Sequence, residues 1–144
     1  ALDELKRNEA LYCRASAYYT TGEYGLALVD YNILAKEVRT NWGAEAKYKA
    51  AECYYHLGAV DMAEQEIMSF TKMQTSHQYW LAKSLILLAD INVDKNDLFQ
   101  AKQYLLALQN NYRKADDLAA IISDKLAHIQ QLEIQQNTDT TIIE

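Results

Sequence analysis

Alanine recurs at a nearly constant spacing along this chain of 144 residues. The first set is separated by 36, 38 and 38 residues and comprises Ala15, Ala51, Ala89 and Ala127. A second set follows the first three members by twelve residues and comprises Ala27, Ala63 and Ala101. Helices that cross closely need a small side chain at the contact, because a larger one pushes the backbones apart. The spacing therefore predicts an all-α fold made of repeated pairs of helices.

The residue between the two helices of each pair also recurs. Gly22, Gly58 and Asn96 occupy the same place relative to the two sets of alanines. Glycine and asparagine tolerate a positive φ, which ends a helix and lets the chain reverse. Each unit is therefore predicted to be an antiparallel helix hairpin.

This pattern resembles the tetratricopeptide repeat, a unit of about 34 residues with small side chains at its eighth and twentieth places. The two sets of alanines match those places in three units. The eleventh and twenty-fourth places, where bulkier residues are usual, hold Tyr18, Tyr54 and Asn92, and then Tyr31, Ile67 and Leu105. The resemblance implies a right-handed superhelix of antiparallel helix hairpins, an α-solenoid.

Three features depart from the family pattern. The chain contains no proline, although one usually closes each repeat, and its repeats are two to four residues longer than the family unit. The twenty-seventh place holds Leu34, Phe70 and Leu108 instead of alanine.

The resemblance predicts one domain over residues 1–135, with repeats at about 8–39, 44–75 and 82–113. A capping helix is expected at about 116–133, because one apolar stripe there is backed by glutamines that make the outer surface polar. Residues 136–144 have no helical period, and we expect them to form a flexible tail.

Charge and hydropathy bear on the class of partner. The net charge of −6 and the scattered basic residues disfavour nucleic-acid binding, which depends on clustered Lys and Arg. No apolar run approaches the length that spans a bilayer, so we expect no direct membrane insertion. A protein or peptide that is neutral to basic fits this charge best.

No pattern of catalytic or metal-binding residues is found. The three histidines are far apart, only four glycines are present, and no zinc or nucleophile motif occurs. Cys13 and Cys53 lie on the first helices of adjacent units at places that differ by a helical turn, which disfavours a disulfide. We expect a protein that is not an enzyme and that uses no cofactor and no metal.

By resemblance, the first helix of each unit lines a concave groove. The residues predicted to bind a peptide there are Tyr12, Ser16, Tyr19, Tyr48, Glu52, Tyr55, His56, Lys83, Ile86 and Asp90. Tyrosine suits recognition because it offers a rigid apolar ring and a hydrogen-bonding tip. The prediction is a Tyr-rich, acidic groove. The alternative is that these tyrosines cover seams between helices, and Trp42 and Trp80 are predicted to wedge the unit junctions.

The sequence thus predicts a non-catalytic scaffold for protein–protein interaction, a monomer or weakly self-associating. It lacks the Lys, Asn and Arg clamp with which a subgroup of the family grips C-terminal carboxylates, since Tyr12, Ser16 and Leu87 stand at three of those places. One alternative is a structural or self-assembling spacer of a longer repeat protein, similar to bacterial modules of the cell envelope. Another is glycan binding through exposed aromatic rings.

Overall fold

The chain is all-helical in a computed structural model that describes residues 2–143, with side chains as far as Thr141. Seven helices and no strand occur among these residues, which confirms the predicted all-α class. The helices are α1 (Leu2–Thr20), α2 (Tyr24–Leu34), α3 (Asn41–His56), α4 (Val60–Lys72), α5 (Gln78–Asp94), α6 (Leu98–Asn111) and α7 (Leu118–Ile143).

The helices group into two compact units, Ala1–Ser84 and Leu85–Glu144. Unit 1 contains α1 to α4 and the start of α5, and consecutive helices among α1 to α4 pack against each other. Unit 2 contains the rest of α5 together with α6 and α7, and α6 packs against α7.

The turns that join α1 to α2, α3 to α4 and α5 to α6 have the same conformation. Gly22, Gly58 and Asn96 all have positive φ, at 80°, 79° and 61°. In the first turn the Glu23 N–H donates to the Tyr18 carbonyl at 2.8 Å and the Gly22 N–H donates to the Tyr19 carbonyl at 3.1 Å. The same pair of bonds recurs in the other two turns, so all three are Schellman motifs, as the recurring Gly and Asn predicted.

The two sets of alanines in the three hairpins are buried, as helix contact requires. Their side chains are at most 1 % exposed, and they are Ala15, Ala27, Ala51, Ala63, Ala89 and Ala101. Ala127, which the spacing places in the same series, is exposed on α7. The small-residue contact is therefore a property of the three hairpins.

Each hairpin of unit 1 also contains an ion pair between its helices, in which at least one partner is buried. The Arg14 guanidinium donates to both carboxylate oxygens of Asp30 at 2.7 Å, and the Asp30 side chain is 2 % exposed. In the second hairpin the Lys47 ammonium lies 2.8 Å from the Glu66 carboxylate and donates to the Ser69 hydroxyl at 3.2 Å. Ion pairs of this kind favour one register of the two helices, because the buried partner cannot be left without its counter-charge.

The connections between the hairpins of unit 1 are tied to each other by side chains. The Thr75 hydroxyl donates to the Val38 carbonyl at 2.7 Å, and the His77 ring nitrogen Nε2 lies 3.1 Å from the Arg39 carbonyl. At the start of α3, a Cβ added to Gly43 would lie 1.8 Å from the Glu37 carbonyl oxygen. Glycine is therefore required there by the close approach of the preceding loop.

Helix α7 is longer than the sequence predicts. It continues through the segment expected to form a tail from residue 136 and ends at Ile143. Its polar residues do not break the helix, because three threonine hydroxyls donate to the carbonyl four residues earlier, at 2.9 to 3.0 Å, from Thr138, Thr140 and Thr141. The expectation that helical structure ends near residue 135 is wrong for the residues described.

Candidate functional site

Helices α1 and α3 of unit 1 run side by side in the same direction. Tyr12, in the middle of α1, stacks on Trp42 at the start of α3, with ring centroids 5.6 Å apart. Tyr19, near the end of α1, contacts His56 at the end of α3, at 6.3 Å. We call the surface between these contacts the α1–α3 strip. Its residues are Tyr12, Ser16, Tyr19, Glu45, Lys49, Glu52, Tyr55 and His56.

Three rings meet at one end of the α1–α3 strip. His56 stacks on Tyr24 of α2, with centroids 4.5 Å apart and planes 18° from parallel. Tyr19 meets both rings edge-on, at 5.4 Å from Tyr24 and 6.3 Å from His56. His56 is exposed and the two tyrosines are half-buried. The rings are held in position by one another while their outer edges stay accessible.

A Tyr–Trp stack occurs twice in unit 1. Tyr12 packs on Trp42, and Tyr48 of α3 packs on Trp80 of α5 with ring centroids 5.9 Å apart. The Trp80 indole N–H also donates to the Asn41 side chain at 3.2 Å. Each tryptophan lies near the start of the first helix of its own hairpin and packs against the first helix of the preceding hairpin. The sequence analysis predicted that the two tryptophans would lie at these junctions.

Two lysines lie over the aromatic rings. The Lys49 ammonium is 4.0 Å from the centroid of the Tyr19 ring, and the Lys83 ammonium is 5.2 Å from that of Tyr48. Both distances are within the range of a cation–π interaction. The ammonium groups are therefore attached to this surface by the tyrosines and are not extended into solvent.

Glu52 is a partly buried charged group of the α1–α3 strip. Its Oε1 atom is buried and accepts no hydrogen bond from the described residues, although the Lys49 ammonium lies 3.4 Å away. Burial and the charge and hydrogen bond of Glu52 raise the pKa of Tyr19 above its usual value. A hydrogen bond to Glu45 does the same for the pKa of Tyr12. Each carboxylate thus holds one phenol of the strip in its neutral form.

Three of the predicted groove residues do not form an open acidic surface. Tyr48 is only 7 % exposed because Trp80 and Lys83 cover its ring, and Ile86 of unit 2 is also buried. Asp90 of unit 2 is neutralised by the Lys125 ammonium at 2.8 Å. The α1–α3 strip itself has two carboxylates, from Glu45 and Glu52, and one ammonium group, from Lys49. With His56 neutral, one carboxylate charge is not offset within the strip.

The other predicted residues of unit 1 do lie on one surface. Tyr12, Ser16, Tyr19, Glu52 and Tyr55 are partly exposed there, and His56 is exposed. The sequence analysis did not predict the interaction of Lys49 with Tyr19, although the spacing of Lys49 and Glu52 along α3 indicates that Lys49 faces the strip.

Lys49 is three residues before Glu52 and therefore on the same side of α3. Tyr24 was also not anticipated, because its contact with His56 depends on how α2 packs against α3.

The described residues contain no group of three or more His, Cys, Asp or Glu side chains that could hold a metal ion. None of the described helices is long and apolar enough to cross a membrane. The chain matches no family model, no curated protein and no solved structure.

Proposed function

We propose that this chain is a non-catalytic scaffold for protein–protein interaction, built of tetratricopeptide-like hairpins in a right-handed superhelix, and that it binds an extended peptide along the α1–α3 strip. The observation that carries the proposal is the arrangement of the strip: half-exposed aromatic rings and charged groups from two parallel helices lie in one line. Stacking fixes the rings before a ligand arrives. Such preorganisation favours binding, because less side-chain freedom is lost in the complex.

The contacts suggest how a peptide would bind. Its apolar side chains would lie against the rings of Tyr19, Tyr55 and His56, and its backbone would hydrogen-bond to the polar tips of the strip. A basic side chain of the peptide would replace Lys49 beside Glu52, whose buried Oε1 atom accepts no hydrogen bond in the described structure. Lys49 contacts this atom only as an ion pair at 3.4 Å, so a ligand ammonium that also donates a hydrogen bond to it would compete with Lys49 for the carboxylate.

The charge of the protein narrows the class of ligand. The chain as a whole carries a net charge of −6, and the α1–α3 strip holds two carboxylates and one ammonium group. A basic peptide would be attracted over long distances, and a neutral one would not be repelled. An acidic peptide would be disfavoured on approach.

The proposal is tested by selecting peptides from a displayed library of random dodecapeptides against the full chain. The selected peptides are then measured by calorimetry on the wild type, on Tyr55→Ala and on Glu52→Gln. The matched control is Tyr104→Ala, which removes a half-buried tyrosine from α6 of unit 2.

We expect at least about a tenfold loss of affinity in the two strip variants, equivalent to about 1.4 kcal/mol, and no loss in the control. Circular dichroism confirms that each variant keeps its helix content. If no peptide is enriched, or if the enriched peptides bind all the variants alike, the strip is not the binding site.

A further inference from the structure

Helix α2 carries an apolar stripe on the side that faces away from α1 and α3. Leu26, Val29 and Ile33 are 50, 60 and 37 % exposed. Their spacing of three and four residues places them on one side of the helix. The opposite side of α2, with Ala27 and Tyr31, is buried in the core of unit 1. We call the three exposed residues the α2 stripe.

The other hairpins show that the fold does not require an apolar side chain at these positions. Counting from the shared turn residues Gly22, Gly58 and Asn96, the place of Val29 is taken by Gln65 in α4 and by Gln103 in α6. Both glutamines are exposed. The place of Ile33 is taken by Ser69 and Ala107. The place of Leu26 is taken by the exposed Met62 in α4 and by Gln100 in α6. The combination of three exposed apolar residues is therefore specific to the first hairpin.

A glycine without an intramolecular role lies beside the stripe. Gly25 is exposed in the first turn of α2, and a Cβ added to it would meet no atom within 4 Å. Its φ is not positive, unlike that of Gly22 and Gly58. Neither the backbone conformation nor the packing of unit 1 calls for glycine here. A glycine on an exposed helix face lets another backbone or a bulky side chain approach closely.

We propose that the α2 stripe is a homodimer interface, in which α2 packs antiparallel against α2 of a second copy around a two-fold axis at Val29. In this register Val29 faces itself, and Ile33 of each copy lies over Gly25 and Leu26 of the other. The bulky side chain of Ile33 thus meets the gap left by the glycine. An interface around a two-fold axis must be self-complementary, and the stripe meets this condition.

The charges at the ends of α2 also match in this register. Glu23 precedes the helix, Lys36 follows it, and both are exposed. In the antiparallel register, Lys36 of one copy therefore lies beside Glu23 of the other. The two pairs related by the axis would fix the antiparallel direction, because a parallel pairing would place like charges together.

The size of the patch makes the dimer weak. Stable interfaces bury about 1,200–2,000 Å² in total, and a stripe of three side chains buries less. Leu5 extends it, since Leu5 and Ile33 line the same cleft of about 550 Å³ between α1 and α2. We expect dissociation constants on the order of 100 µM, so that dilute protein is monomeric.

Sedimentation velocity of the full chain from about 10 µM to about 1 mM tests the association. The wild type should shift from monomer to dimer over this range. Val29→Glu places two like charges on the axis and should raise the dissociation constant at least about tenfold. The matched control Gln65→Glu makes the same kind of change at the equivalent exposed site of α4, where it also adds a negative charge. It should change the dissociation constant of the dimer less than twofold.

A disulfide trap tests the geometry. In a Cys13→Ala background, Val29→Cys should crosslink to itself under mild oxidation, whereas Gln65→Cys should not. A wild type that stays monomeric at about 1 mM overturns the proposal, as does a dimer that Val29→Glu leaves intact. If the Gln65→Cys variant crosslinks equally well, the axis lies elsewhere and the proposal is also overturned. Peptide binding at the α1–α3 strip uses other residues, so either proposal can fail while the other stands.

Discussion

Replacing two glycines of unit 1 with alanine should change its stability in opposite directions. Gly58 ends α3 with a φ of 79°, and Gly25 lies in the first turn of α2 without a positive φ. A Cβ added to either residue meets no atom within 4 Å, so steric clashes do not distinguish the two substitutions. The difference between Gly58→Ala and Gly25→Ala therefore reports the backbone conformation alone.

The expected magnitudes follow from two opposing effects. Alanine restricts the unfolded chain, which stabilises the folded state by about 0.4–1 kcal/mol wherever its backbone conformation is allowed. The left-handed conformation costs an L-residue about 1–2 kcal/mol. Gly25→Ala should thus raise the free energy of unfolding by about 0.5 kcal/mol, and Gly58→Ala should lower it by about 1 kcal/mol.

Urea denaturation followed by tryptophan fluorescence measures this difference in unit 1, because Trp42 and Trp80 both lie there. The protein concentration should be kept low, about 2 µM, so that self-association does not contribute. If Gly58→Ala is neutral, or stabilises as much as Gly25→Ala, the chain does not adopt a left-handed turn after α3. The same result would remove the basis for treating the three turns as equivalent.

Three further predictions concern ionisable groups. Arg14→Ala should lower the free energy of unfolding, because the Asp30 carboxylate stays buried without its partner, and adding Asp30→Asn should recover part of this loss in urea titrations. Burial raises the pKa of the Cys53 thiol to about 12, so a thiol reagent at pH 8 should modify exposed Cys13 alone until the protein is unfolded. Burial also raises the pKa of Tyr31 from 10.0 to about 12. The folded state then binds this proton more tightly than the unfolded state, so stability should fall as the pH rises from 10 to 12, which alkaline unfolding curves would reveal.

The sequence predicts the hairpins of this chain well because their determinants are local. A positive φ at Gly22, Gly58 and Asn96 restricts the residue type at those positions, whatever the rest of the chain does. The buried alanines can likewise be predicted from their spacing. Neither prediction requires knowing which residues that are distant in the sequence come into contact in the fold.

The exposure of the groove tyrosines could not be predicted in the same way. Tyr12 and Tyr48 hold equivalent places, yet Tyr12 is half-buried and Tyr48 is buried. Each stacks on a tryptophan, but the Lys83 ammonium also lies over the ring of Tyr48, and no lysine is found over that of Tyr12 among the described residues. Residues at equivalent places of successive hairpins therefore point in the same direction but have different neighbours.

The sequence also did not predict how far α7 extends. Threonine and asparagine after residue 136 favour turns or caps in many contexts, because their side chains compete for backbone partners. In α7 the threonines bond to carbonyls of the helix itself, so the same chemistry is compatible with continued helix.

The succession of helix hairpins in unit 1 has a consequence for how fast it folds. Its helices pack mainly against the neighbours that precede and follow them in the chain, so few long loops must close before contacts form. Helical proteins with such local contacts fold within microseconds to milliseconds. The chain also contains no proline, so no slow prolyl isomerisation delays the process. Refolding after a rapid jump out of urea should therefore be complete in well under about a second.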